Sequence, residues 1–338
     1  MEQTAVEKKF GKYVMASMIT MFLQSAYSMI DGLFVSNLIG DTALSAVNVA
    51  WPVIAVVTAI GTGVGCSGAV MMSTKQGEGK NEESNIVRAN VILALLASSI
   101  VVTILFLVLL TPLLKLMGAE GELLRLSQIY GRVMLTGGVL QILSCGLTPL
   151  LRNDNRAVSA MMIMVGGLFA NLGLDFVFMY VFHMGIGGAA GASLCAQLFT
   201  TLCCLIILGT KKTDPIRFSQ FMIRKEYWKK IFKTAVSPFG ISLTPSLLIL
   251  YHNVACLKFG GDLAVNAYAL ISSTVGSYRV LLIGVAEGIQ PLASYAYGAH
   301  DFHAIRKIRN KAVITAIGVS FFLFIFTRSE EHTSELQS

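Results

Sequence analysis

Three carboxylates sit inside long apolar runs of the chain: Asp31, Asp175 and Glu287. Burying an ionised acid at the middle of a bilayer is costly, so each marks an ion or substrate path by default. Gln24 precedes Asp31 by seven residues, two helical turns away on one face. Asn171 and Asp175 are spaced i, i+4, and Ser193 and Gln197 repeat that spacing. Acids, amides and hydroxyls gathered in this way can line a polar pocket. Desolvation there favours the protonated acid, whereas amide and hydroxyl donors favour the ionised one. Such a carboxylate can take up and release a proton, and the same oxygens suit a small hard cation such as Na⁺. The alternative is that these groups only bond helices to one another. Arg279, about two turns before Glu287, can neutralise that acid.

Other chemistries find little support. Cys66, Cys145, Cys195, Cys203, Cys204 and Cys256 lie in apolar runs without metal-ligand or redox spacing, and read as small buried hydrophobes. Gly61, Gly63 and Gly65 follow no strand and no Walker lysine follows them, so they read as a close helix contact. The histidines form no metal-like cluster, no Ser/His/Asp arrangement stands out, and no cofactor is implied. An enzyme is not expected.

The positioning elements follow from composition. Of 338 residues, 54% are hydrophobic and only 13% charged, with a mean hydropathy of +0.69. An ordinary soluble domain carries about 25% charged residues. Apolar runs of the ~20 residues that cross a bilayer recur along the chain, which reads as an all-α polytopic membrane protein. Nine spans are expected, roughly 13–38, 47–73, 91–110, 129–151, 160–182, 188–209, 231–258, 265–297 and 310–327. Twenty Lys and Arg fall in the loops of one side and three in those of the other, which predicts a cytoplasmic N-terminus. The net charge of +7 therefore reflects topology and not nucleic-acid binding. The loop over 210–230 interleaves basic residues with Phe218, Phe221, Tyr227 and Trp228, and is expected to lie on anionic headgroups as an amphipathic linker.

The chain also resembles itself at an offset of 221–223 residues. Gly40-Asp41 and Ala46 recur as Gly261-Asp262 and Ala267, and Gly65 and Gly77 recur as Gly288 and Gly298. The repeat unit then holds six helices, an even number that keeps both copies in one orientation about an axis along the membrane normal. Residues 1–209 are expected to form the first six-helix bundle and 231–327 half of a second, about nine helices of an expected twelve. Residues 328–338, RSEEHTSELQS, resemble one frame of a sequencing-library adapter, and are expected to be foreign to a natural frame that continues.

Gln24 and Asp31, then Gly40 and ALSAVNVAWP, resemble the opening of the multidrug and toxic compound extrusion (MATE) family. NLGLD, GGAAGASLCAQ and QPLASYAYGA resemble later stretches of it, so that the likeness covers about residues 10–327. The resemblance implies two six-helix bundles forming an alternating-access antiporter, monomeric and multi-pass in a prokaryotic inner membrane. It would export organic cations or other drugs against H⁺ or Na⁺. It matches Asp31 and Asp175 to the coupling acids, Gln24 and Asn171 to supporting amides, Ser193 to a frequent Thr, and Tyr130 to a pocket aromatic. Any metal site would be Na⁺ at Asp31 and Asp175. Ala16 stands where the family often has a proline in helix 1, and the repeat sets Pro238 opposite it and Asn253 opposite Asp31. The runner-up readings are a lipid-linked oligosaccharide flippase of the same superfamily and a non-transporting membrane scaffold.

Overall fold

The computed structural model describes residues 3–210 and 220–335, with side chains set aside at some positions, chiefly 3–8, parts of 250–277, and 326–335. The described residues form nine α-helices and no strand: α1 (Gln3–Ile39), α2 (Asp41–Gly77), α3 (Asn81–Leu116), α4 (Gly121–Thr136), α5 (Gly138–Leu151), α6 (Ala157–Asp175), α7 (Gly185–Gly209), α8 (Lys225–Gly298) and α9 (Phe302–Glu335). Among the described residues six stretches are long and apolar enough to cross a membrane, and the protein is a multi-pass membrane protein. Isoleucine, leucine and phenylalanine side chains are widely exposed, as at Ile104, Phe169 and Phe321. That is the expected surface for a bundle solvated by lipid tails.

The nine expected spans map onto these helices with corrections. The fourth is two helices, α4 and α5, broken at Gly137–Gly138, where Leu194 and Thr103 press on the chain and leave no room for a Cβ. The seventh and eighth are one continuous helical element, α8, but it is folded back on itself. His252 and Tyr268 stack with ring centroids 4.9 Å apart, whereas sixteen residues of straight helix would separate them by about 24 Å. Two arms therefore run side by side, as the sequence pattern requires. Helix α9 continues to Glu335 and does not stop at Thr327; the side chains of the adapter-like stretch lie outside the described residues.

The repeat is written into the packing. A Cβ on Gly77 would fall on the carbonyl of Tyr295, and a Cβ on Gly298 on the carbonyl of Thr74. Adding 221 to 74 and 77 gives 295 and 298, so each contact is the image of the other. The same offset turns Gly63 against Phe239 into Gly284 against Met18. Likewise Ser67 meeting Thr234 becomes Gly288 meeting Tyr13. Helix α2 therefore packs on the first arm of α8 as the second arm packs on α1, about one axis. The offset is 221 throughout, which corrects three sequence pairings. Ser67, not Gly65, is opposite Gly288; Ser17, not Ala16, is opposite Pro238; and His252, not Asn253, is opposite Asp31. The side chain of Asn253 lies outside the described residues.

Gly61 and Gly65 make the expected close contact, meeting the backbone of Ile142 and Gly146 on α5. The linker is less as expected. Residues 211–219, with Phe218, lie outside the described residues. Beyond them Asn90 clamps the backbone, donating to the Met222 carbonyl at 3.2 Å and accepting from the Arg224 N–H at 2.9 Å. Phe221, Tyr227 and Trp228, partly buried, pack against the core of the first bundle. The cysteines also divide: Cys66 and Cys204 are buried, but Cys195 is exposed.

At the end of the bundle where the basic loops gather, Arg88 is fully buried. Its guanidinium meets Asp154 at 3.4 Å and Asn85 at 2.6 Å, while Gln76 donates to the other Asp154 oxygen at 3.1 Å. Removing one member of a buried pair leaves the other charge poorly compensated, at a cost of about 3–5 kcal/mol. Arg88→Ala is therefore expected to lower stability by that amount, which thermal unfolding in detergent checks. An unchanged midpoint would contradict the assignment of Arg88 as a structural countercharge.

Candidate functional site

The polar groups of α1, α6, α4 and α7 converge near the opposite end of the first bundle. Helices α1 and α6 run in the same direction side by side, since Tyr13 bonds Asn155 and Tyr27 bonds Asn171. That register brings Asp31 on α1 to Asp175 at the last residue of α6. Asp175 is fully buried. Its Oδ2 accepts from Asn171 Nδ2 at 2.9 Å, the i, i+4 contact expected from the spacing, and lies 3.4 Å from the Tyr27 hydroxyl. Tyr27 also donates to Asn171 Oδ1 at 2.6 Å, which fixes the amide so that its NH₂ faces the acid.

Asp31 is half-buried, and its carboxyl lies within hydrogen-bonding reach of that of Asp175. Each acid keeps one buried oxygen, Oδ1, with no donor. Buried acceptors in that position are incomplete until something shares them. Two carboxyls facing each other repel when both are ionised and are held together by one proton or one cation between them. Ser193 on α7 reaches the Tyr27 hydroxyl, and Tyr130 on α4, 5% exposed, is within electrostatic range of both acids. The structure thus brings together Asp31, Asp175, Asn171, Ser193 and Tyr130.

Tyr27 was not among the residues singled out from sequence, although it does most to join α1 to α6. Its signal was present: it precedes Asp31 by four residues and follows Gln24 by three, on the same face. Gln24 itself is exposed and makes no side-chain hydrogen bond among the described residues. Tyr27→Phe keeps the ring and removes both hydroxyl contacts. One lost hydrogen bond to a charged partner is worth about 1.5–3 kcal/mol, so the α1–α6 contact is expected to lose about that much stability. Thermal unfolding in detergent checks it, and an unchanged midpoint would contradict it.

Glu287 does not join this pocket. It faces Arg152 across the other end of the bundle, with an oxygen 2.5 Å from the guanidinium, and Arg279, expected to neutralise it, is exposed. Arg152, the residue after the end of α5, stands directly opposite Glu287. His252, the position opposite Asp31, brings Nδ1 to 2.8 Å from the Leu248 carbonyl and stacks on Tyr268.

The chain is similar to known proteins in sequence and in fold. A sequence profile described as MatE matches residues 16–177 and 241–329. The multidrug export protein MepA of Staphylococcus aureus (strain N315) is 26% identical over 326 residues, covering 95% of this chain and 70% of that protein. A solved structure of MATE in complex with MaL6 superposes with a TM-score of 0.90 at 25% identity, over 95% of this chain and 72% of that one. An outward-facing multidrug resistance MATE family transporter of the MOP superfamily gives 0.89 at 26% identity, over 95% and 71%.

Proposed function

The chain belongs to the MatE family, and on that premise we propose that it carries out ion-coupled export of drug-like organic cations. The observation that carries the coupling is half-buried Asp31 facing buried Asp175, with one donorless oxygen on each acid. A proton or Na⁺ entering between the two carboxyls removes their repulsion and draws α1 onto α6 through Tyr27 and Asn171. Loss of that ion lets α1 take a different packing. An ion shifts such an equilibrium only by its difference in affinity for the two states, and a carboxyl pair that is closed in one state and open in the other supplies that difference. Export of drugs is the activity named for MepA, and an acidic pocket favours cations over anions or neutral lipids-linked sugars. The N-terminus is cytoplasmic on the charge of the loops.

Purified protein in sealed vesicles tests the reading. A fluorescent cation such as ethidium should move only when a proton or Na⁺ gradient is imposed, and collapse of that gradient by an ionophore should stop it. Movement indifferent to both gradients would overturn ion coupling, and no movement of cations under either would overturn cation export.

A further inference from the structure

The turn between α5 and α6 has an unusual set of contacts. Over Arg152–Arg156 the chain turns with Asn155 in the left-handed region, φ 63°, and each successive residue bonds a neighbouring element. Arg152 meets Glu287 on α8 at 2.5 Å. Asn153 accepts from Ser294 on α8 at 3.3 Å. Asp154 takes Gln76 of α2 and Arg88 of α3, Asn155 accepts from Tyr13 of α1 at 2.7 Å, and Arg156 donates to the Ile207 carbonyl of α7. Two of the five reach across to the second half of the repeat.

That crossing differs in kind from the rest of the seam. The glycine contacts between α2, α1 and the arms of α8 come in pairs related by 221 residues, as a packing interface about an axis requires. The ion pair does not. The position opposite Glu287 is Cys66, so the acid has no counterpart, and Cys66 itself is buried beside Glu287, Arg152 and Gln290. The side chain of Arg152 is 7% exposed and that of Glu287 27%. A cavity of about 880 Å³ is walled by both halves, with Tyr13, Gln76, Tyr295, Asp301 and Asn153, the neighbour of Arg152 in the chain, among its lining.

We propose that the Arg152–Glu287 ion pair is a latch that holds this end of the seam closed, and that its release opens the protein at the end carrying the basic loops. The proposal rests on the transport reading only for its purpose, because opening can be observed without any transport. Packing glycines set how closely the halves meet, whereas an ion pair that can be exchanged for water sets how long they stay met. The asymmetry lets this one contact yield while the paired contacts keep the halves in register.

The test uses the full chain in lipid vesicles, with Cys66 as its sole cysteine and a membrane-impermeant maleimide as probe. In the parent protein labelling should be slow, and Glu287→Gln should speed it about tenfold or more, since the countercharge of the buried Arg152 is lost. The exchanged pair, Arg152→Glu with Glu287→Arg, should return labelling towards the parent rate. A parallel protein whose sole cysteine is Cys204, buried in the first bundle away from the seam, should stay protected in Glu287→Gln. Unchanged labelling of Cys66 would overturn the latch. So would labelling of Cys66 and Cys204 alike, because the pair would then hold the fold and not a gate. If the labelling follows the proposal while vesicles move no cation, the transport reading fails and the latch stands.

Discussion

Asp175→Asn is expected to abolish gradient-driven export of ethidium while leaving the protein in the membrane at its normal amount. Asparagine keeps the shape of the side chain and its contact with Asn171, but it cannot exchange a proton, and its NH₂ donates permanently to the second acid as a shared proton would. With no repulsion to relieve, the ion has the same affinity for both packings of α1, and a ligand of equal affinity shifts nothing however tightly it binds. The export rate should fall about 100-fold, near the upper range of a typical coupling free energy. Asp31→Asn should do the same, and the double variant should be no worse than either single one, because the two acids act as one site. Efflux from cells lacking their own pumps, normalised to protein in the membrane, provides the measurement. Two single losses that multiply in the double variant would mean that the acids work independently.

Gly65→Val is expected to be the most damaging change outside the polar groups. A Cβ at Gly65 would lie 2.4 Å from both the Cα and the carbonyl oxygen of Gly146 on α5. Backbone atoms cannot rotate away as a flexible side chain can, so α2 and α5 must separate. Overpacking a well-filled interior costs about 1–3 kcal/mol and more when backbone must move, and a separation here also loosens Ile142 against Gly61. The loss should reach about 3 kcal/mol, read as a lowered thermal midpoint in detergent and a smaller monodisperse fraction. By contrast Gly173→Ala, where a Cβ meets nothing within 4 Å, should leave the midpoint unchanged. Equal tolerance of the two substitutions would contradict the packing account.

Much of this was legible in the sequence because the bilayer imposes length and polarity rules that a single chain obeys in isolation. The acid of α1 and the Asn-x-x-x-Asp of α6 stood out because nothing else charged surrounds them. Tyr27 escaped because an aromatic in an apolar run carries no penalty, so its place on the face of Gln24 and Asp31 gains meaning only from its register against Asn171. Glu287 stood out for the same reason as Asp31, but an acid inside an apolar run does not say at which depth its partner waits. The partner, Arg152, lies 135 residues away in a turn that the loop count registered only as positive charge. Helix α8 is the opposite case. Its two arms were readable from the Gly-Gly-Asp break, whereas its continuity was not, because a fold-back within helical hydrogen bonding leaves no separate signature in composition.

Gly77 and Gly298 meet where the two halves of the repeat are images of each other. Had the halves once been separate copies of one polypeptide, this would have been a glycine facing itself across a homodimer, and one codon would have served both sides. Joined in a single chain, the two positions can mutate separately, but neither gains freedom by it, because a side chain on either one strikes the carbonyl of the other helix. Elsewhere Asp31, His252 and Glu287 stand opposite unlike residues in the other half. At this crossing the repeat doubles the number of ways to fail.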